Sequence, residues 1–197
     1  MARVILGLFL ICAAFVVLSV RLSSVTTTVA GSQLVAPGLS VKAPAEGTLR
    51  IATSHTSAFL SFDRMVPGDR VTAPITVRND GTRDLRYAVT SIATNDDGKG
   101  LMNQLQLTIK SSVTTCNNAG FKHDGVILYG DAPLGSIADL DVVGNPALGQ
   151  QAGDRTLRAS ASETLCFSVT LPLKTPNAFA GAATAATFNF VAEPMMP

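Results

Sequence analysis

Apolar and polar residues alternate most regularly in one stretch of the chain, residues 66–89. In its first half every second residue is apolar, at Val71, Ala73, Ile75 and Val77. Because successive side chains of a β-strand point to opposite faces, this spacing predicts a strand with one buried face. The period resumes after the turn sequence Asn-Asp-Gly, at Leu85, Tyr87 and Val89. The stretch therefore predicts a β-hairpin or a pair of strands.

Short segments with the same alternation follow along most of the remaining chain, and clusters of Gly, Asn and Asp separate them. Helical spacing is not sustained over three turns beyond the apolar segment near the start. About seven to nine short strands, with turn signals about every ten residues, are typical of a sandwich. The sequence predicts an all-β domain over residues 48–194, an antiparallel β-sandwich of jelly-roll or Ig-like type.

The front of the chain carries an uncharged apolar run, Val4–Val20, behind the single basic residue Arg3. A run of this kind predicts a hydrophobic export helix, and small residues precede a possible cleavage between Ala30 and Gly31. Residues 1–30 are thus predicted to be a signal peptide. The cut would lie far beyond the apolar run, so an uncleaved membrane anchor through residues 4–20 is the alternative. Both interpretations predict an extracellular or cell-surface protein.

Charge excludes two classes of partner. Removing residues 1–30 takes Arg3 and Arg21 from the 15 basic residues and leaves 13 against 14 acidic ones, a formal charge of −1. Neither a basic stripe nor an acidic tail remains, which argues against nucleic acid and against an anionic membrane surface as partners.

The chain has three cysteines, and one of them, Cys12, lies in the apolar run. A lipid attachment at Cys12 is not favoured, because the large residue Ile11 precedes it. Cys116 and Cys166 remain after export, and an even number in an oxidising compartment predicts a disulfide. The alternative is a pair of free buried thiols. Metal binding is less favoured, because no second Cys or His lies at ligand spacing beside either residue.

Two groups of residues, one at each end of the predicted domain, resemble a known family. The first follows a Gly-Thr-Leu segment at residues 47–49 and consists of two turns, Pro67-Gly68-Asp69 and Asn79-x-Gly81-Thr82. The second closes the chain: Asn177, Phe179 and Gly181, followed by Phe188, Phe190 and Ala192. In order and spacing these residues resemble the TasA/camelysin family of secreted bacterial matrix proteins. The matches cover about 60 of the 197 residues and leave out the middle of the chain with both cysteines.

The resemblance implies a jelly-roll protein that forms extracellular fibres of a biofilm matrix. It also implies an export signal peptidase as partner, and pairing of the mature N-terminal segment with a sheet of the next subunit, either a second copy or a related fibre protein. Residues 31–47 form an extended leader whose apolar residues suit a donated strand: Leu34, Val35, Leu39 and Val41. A flexible linker between anchor and domain is the alternative role of this leader.

Catalytic chemistry is not predicted. A zinc peptidase needs two His one helical turn apart, with a Glu between them, and this chain has only His55 and His123, which are far apart. No catalytic residue, metal site or cofactor is therefore predicted, although some relatives are described as metallopeptidases. A cell-surface adhesin and an anchored accessory protein of a fibre are the alternative functions. An adhesin is less favoured, because glycan sites are rich in exposed aromatics and the chain has no Trp and two Tyr.

Overall fold

The computed structural model describes residues 14–24, 47–55 and 60–195, and within these ranges the protein is built from two β-sheets. Sheet A has six strands, in the spatial order β3 (Leu60–Met65), β1 (Ala14–Ser24), β11 (Ala183–Pro194), β5 (Leu85–Ala93) and β8 (Leu140–Val143), with β9 (Arg155–Leu157) also paired to β5. Sheet B has five, in the order β2 (Ile51–Thr53), β4 (Arg70–Asn79), β10 (Ser162–Thr170), β6 (Gln106–Ser111) and β7 (Val126–Pro133). Three short 3₁₀ turns lie at Leu101–Asn103, Gly120–Lys122 and Asn177–Phe179. The predicted all-β class is confirmed.

The core lies between the two sheets. Phe167 of β10 in sheet B meets Phe188 of β11 in sheet A edge to face, with ring centroids 4.9 Å apart. Alternate residues of β11 are buried, as expected for a strand with one face on the core: Thr184, Ala186, Phe188, Phe190 and Ala192. The core between the sheets consists of aliphatic and aromatic side chains.

Strand β4 has the predicted buried face. Ile75 and Val77 are fully buried, and Val71 and Ala73 pack against the core while partly exposed. The predicted hairpin is wrong, however, because β4 lies in sheet B and β5 lies in sheet A. The chain crosses from one sheet to the other at residues 80–84, so the two alternating stretches lie in different sheets.

The turn between β4 and β5 shows why the chain crosses. Its backbone pairs with the segment before β2, since Thr82 N donates to Thr48 O and Asp80 N donates to Arg50 O. A side chain at Gly81 would lie 2.3 Å from Thr48 O, so only glycine permits this close approach. These long-range bonds replace the local pairing that a hairpin would need.

Strand β5 is buried on both faces, whereas the alternation at Leu85, Tyr87 and Val89 predicted one buried face. A segment after β8 covers the other face: Asp154 lies 3.9 Å from Arg86, and Gly149 N donates to Glu193 on the neighbouring strand β11. Arg86 also forms an ion pair with Glu193. Part of the irregular middle of the chain therefore covers the outside of sheet A.

The predicted export helix is not confirmed. Ala14–Ser24, which includes the second half of the apolar run, is strand β1 and pairs with two other strands of sheet A. Residues 1–13 lie outside the described residues. A β-strand satisfies its backbone groups through distant partners, and for this segment β11 and β3 provide them.

Cys116 and Cys166 form the predicted disulfide, with Cα atoms 5.6 Å apart. Cys166 is buried on the outer face of sheet B, because its neighbours Leu165 and Phe167 point into the core. The segment that follows β6 lies over this face, where Phe121 is buried beneath Lys110, whose Nζ is 4.6 Å from the ring centroid. The disulfide thus fastens a cover onto sheet B.

Candidate strand-acceptor site in sheet A

The candidate site is the position of β1 between β11 and β3. Strand β1 runs parallel to β11 over ten register pairs, from Phe15 with Ala183 to Ser24 with Ala192. On its other side it runs antiparallel to β3, with a register irregularity between Ala14 and Val16. A segment from the front of the chain is therefore an interior strand of a sheet whose other strands come from the predicted domain.

Strand β11 forms one side of the site, and its core-facing residues set which side chains fit beside it. Each buried residue of β11 from Thr184 to Ala192 has a register partner on β1. Those partners are, in chain order, Val16, Leu18, Val20, Leu22 and Ser24. Four of the five are aliphatic. The site therefore takes a strand with aliphatic residues at alternate positions.

Strand β3 depends on this occupant. In the described part of the chain, β3 pairs with β1 alone. Neighbouring strands lie about 4.8 Å apart, so removing β1 would leave β3 and β11 separated by about 10 Å. The gap would expose backbone donors and acceptors on both sides, and a single strand would fill it.

The two turns of the first sequence motif lie outside this site and have structural roles. In the Pro67-Gly68-Asp69 turn, Asp69 accepts a hydrogen bond from Val66 N at 2.8 Å, and Gly68 N donates to Leu171 O at the end of β10. Gly68 has a φ of +100°, which favours glycine. At the second turn, Asn79 donates to Arg83 O and accepts from Gly81 N.

The closing motif supports the start of β11. Asn177–Phe179 forms a 3₁₀ turn, and Gly181 follows with a φ of +66°. Asp97 of the preceding loop accepts a hydrogen bond from Ala183 N, the first residue of β11, at 2.8 Å. Backbone hydrogen bonds, first from Lys99 and then from Ala183, hold the pKa of Asp97 below its ordinary value. The exposed turn that contains Asp97 therefore anchors the start of β11.

The other residues predicted for the site are not described. The cleavage position between Ala30 and Gly31 lies outside the described residues. So do the four apolar leader residues: Leu34, Val35, Leu39 and Val41. These stay predictions.

The described residues also bear on alternative chemistry. They contain no group of three or more His, Cys, Asp or Glu residues that could hold a metal ion, and no helix long and apolar enough to span a membrane. His55 Nδ1 lies 2.9 Å from Ser54 Oγ. Beside His123, the Asp124 carboxylate accepts a hydrogen bond from Thr114 N. Both histidines thus lie in local turn structure.

A buried polar group joins the two sheets between β5 and β10. Tyr87 of β5 donates to Glu163 of β10 at 2.8 Å, and Arg155 of β9 lies 2.7 Å from the same carboxylate. Burial first, and the negative charge of Glu163 next, raise the pKa of Tyr87, so its hydroxyl stays a neutral donor. This group is a hydrogen-bonded tie between the two sheets.

A shallow groove of about 540 Å³ lies on the outer face of sheet A. Hydroxyl and amide side chains of β5 and β11 line it together with one carboxylate: Thr90, Thr187, Asn189 and Asp139. No aromatic residue lines it, so it does not have the stacking surface common in glycan sites.

Sequence reasoning did not find β1, although a signal was present. From Leu18 to Ser23 the chain reads Leu-Ser-Val-Arg-Leu-Ser, which alternates with the period of a strand. The longer apolar run around it dominated the interpretation and predicted a helix. Compared with models of known protein families and with curated proteins, the chain matches none.

Proposed function

We propose that the exported chain assembles into extracellular fibres of a biofilm matrix, with a strand of one subunit completing sheet A of the next. One observation carries the proposal: a segment that the sequence marks for removal on export is an interior strand of the sandwich. Export would then take away an interior strand of sheet A and leave its place open. A strand from a neighbouring subunit is the natural replacement.

The physical argument rests on the edge that export creates. Without β1, β11 presents a row of unpaired backbone groups beside a core face that includes Phe188 and Phe190. A strand added in trans satisfies the backbone groups and continues the apolar core face of the sheet beside β11. Because donor and acceptor are different surfaces, the contact is heterologous, and repetition gives an open filament. The sandwich in this proposal is of the jelly-roll type.

The leader is the donor in this proposal. It directly follows the predicted cleavage site and carries four apolar residues: Leu34, Val35, Leu39 and Val41. The partner is a second copy of the chain or a related fibre subunit, and an export signal peptidase makes the donor available. The protein is structural and needs no cofactor.

The test begins with protein recovered from the medium of an exporting bacterial host. Its N-terminus is read by peptide sequencing, and the purified material is examined by negative-stain electron microscopy. We expect a start at Gly31 and filaments of uniform width. A cleaved chain that stays monomeric at all concentrations contradicts the proposal.

An anchored accessory protein is the second candidate, and the same strand favours it. In a chain that is never cut, β1 keeps the site filled, so no neighbour can donate a strand there, and the apolar residues before Ala14 would remain to contact the membrane. Such a chain would cap or nucleate fibres made by a related subunit. A membrane-bound protein with an intact N-terminus and no filaments would support this function over the first.

A further inference from the structure

A short pattern occurs twice in the chain, once on each side of the predicted cleavage site. Leu18–Arg21 reads Leu-Ser-Val-Arg, and Leu39–Lys42 reads Leu-Ser-Val-Lys. Both copies have aliphatic residues at positions one and three, a serine between them and a basic residue at the end. The first copy lies in β1, and the second lies in the leader.

The first copy has a defined register on β11. Leu18 pairs with Ala186 and Val20 pairs with Phe188, and both partners are fully buried. Ser19 and Arg21 pair with Thr187 and Asn189, which are partly exposed and line the groove on the outside of the sheet. The aliphatic positions of the pattern thus match buried partners, and its polar positions match the outer face.

We infer that Leu39–Lys42 of a second copy of this chain takes the register that Leu18–Arg21 holds, so that β1 is a placeholder for the donated strand. This inference rests on the proposed function and adds a register to it. Leu39 then pairs with Ala186, Val41 with Phe188, and Lys42 with Asn189. The donated strand runs parallel to β11, as β1 does.

The residues around the pattern set the length of the donated strand. Ala43 takes the place of Leu22 opposite Phe190 and keeps the core face apolar. Pro37 and Pro44 lie on either side, and because proline has no N–H to donate to β11 or β3, the donated pairing is confined to the residues between them. Polar residues at the buried positions would instead lose hydration without gaining a partner.

The placeholder also explains when assembly begins. In the uncut chain, β1 is tethered to its own sheet, and a tethered strand has an effective concentration in the millimolar range. A leader from another molecule at micromolar concentration is therefore outcompeted. Cleavage removes the tether, and the site then accepts the leader of a neighbour.

The register is tested by disulfide trapping in the exported chain. Ser40→Cys is combined with Thr187→Cys, its predicted partner, and in matched controls with Ala185→Cys or Asn189→Cys. The controls lie on the same side of β11 but are displaced by two residues, about 7 Å along the strand. Disulfide formation needs Cβ atoms about 4 Å apart, so a two-residue shift is resolved.

We expect the Ser40→Cys/Thr187→Cys chain to form a ladder of covalent multimers on non-reducing gels, with at least tenfold more product than either control. A ladder that is strongest in a control overturns the register. Filaments with no ladder in any pair overturn the inference and leave the proposed function standing. An absence of filaments by electron microscopy defeats the proposed function itself, and the inference fails with it.

The placeholder is tested in a chain whose cleavage is blocked by Ala30→Leu. In that chain the pair Ser19→Cys and Thr187→Cys should close within one molecule and run as a monomer. The blocked chain should form no filaments. Filaments in the blocked chain, as many as in the cut chain, overturn the placeholder role of β1.

Discussion

The two sheets of this protein differ in how their strands are secured. In sheet B, every strand comes from residues 51–170, and the Cys116–Cys166 disulfide fastens a covering segment to its outer face. In sheet A, the interior position between β11 and β3 is held by residues 14–24, which the sequence predicts to be removed. Sheet B thus carries a covalent cross-link, whereas sheet A contains one strand from outside the predicted domain.

Both edges of sheet B carry features that discourage an added strand. The backbone N and O of Thr76 on β4 face Ser54, away from β10, so by alternation the nitrogen of Pro74 also faces away from β10. Proline offers no donor there, which blunts the edge. At the other edge of sheet B, Asp131 on β7 has a φ of +39°, and the pairing with β6 shifts register twice. These features discourage added strands at sheet B, which agrees with the proposal that assembly uses sheet A.

The largest effect is expected from deleting residues 31–42 from the exported chain. We expect a folded, soluble monomer that forms no filaments, because the deletion removes the donated strand and leaves sheet B complete. A synthetic peptide of residues 31–42 should bind the truncated monomer and raise its Tm. At a peptide concentration of 100 times the Kd, binding should add about 2.7 kcal/mol to the free energy of unfolding. Calorimetry and electron microscopy measure both results. Filaments from the truncated chain would rule out the leader as donor.

A matched pair of substitutions in the leader sharpens this prediction. Val41→Asp should prevent assembly, because it puts a charge opposite buried Phe188, while Ser40→Asp should assemble with about the wild-type yield. Neither change should lower the Tm of the monomer. Equal loss of filaments in both variants would contradict the predicted alternation.

The next effect concerns sheet B. Replacing both cysteines, Cys116→Ser with Cys166→Ser, should lower the free energy of unfolding by about 4 kcal/mol, since the disulfide closes a loop across a separation of 50 residues. Urea denaturation of the monomer measures the loss. At temperatures where this variant stays folded, filaments should still form. Loss of filaments in a fully folded variant would show that assembly depends on the disulfide of sheet B.

A smaller effect is expected at the tie between the sheets. Tyr87→Phe removes a hydroxyl that donates to the Glu163 carboxylate, and should cost about 1.5–3 kcal/mol of stability. The other tyrosine provides the control: Tyr129→Phe removes an exposed hydrogen bond to Pro133 O and should cost under about 0.5 kcal/mol. Thermal unfolding of the two variants compares them. Equal losses would mean that the buried tie contributes no more than a surface contact.

The smallest effect depends on pH and compares the two sheets directly. Hydrogen bonds lower the pKa of Asp97, which holds the start of β11, and of Asp124, which holds the cover on sheet B. A carboxyl with a lowered folded pKa stabilises the fold above its unfolded pKa of about 3.9, and the benefit is lost as the pH falls through the folded pKa. Asp97→Asn and Asp124→Asn should therefore lower the Tm at pH 7 and differ little from wild type near pH 2. A Tm difference that is unchanged by acid would contradict this assignment.

Local pattern was sufficient for a large part of this fold. Alternation at Val71–Val77 determined a strand and its buried face, because the side-chain period of a strand is set by backbone geometry alone. Glycine and asparagine positions marked the turns, since few other residues adopt those conformations or permit such close approach. The cysteine count and the predicted compartment were sufficient for the disulfide.

Tertiary structure decided which strands are neighbours. Two stretches joined by a short turn lie in opposite sheets, because the turn bonds to Thr48 and Arg50 rather than closing a hairpin. Arg86 is buried because the segment around Asp154, 68 residues later in the chain, covers it, which no local pattern records. The apolar run at the front is compatible with a helix or a strand, and only its pairing with β11 and β3 makes residues 14–24 a strand. The side-chain period of a strand is local, whereas its hydrogen-bond partners lie in distant parts of the chain. The sequence therefore determined the strands and their buried faces, and the tertiary structure decided how they pair.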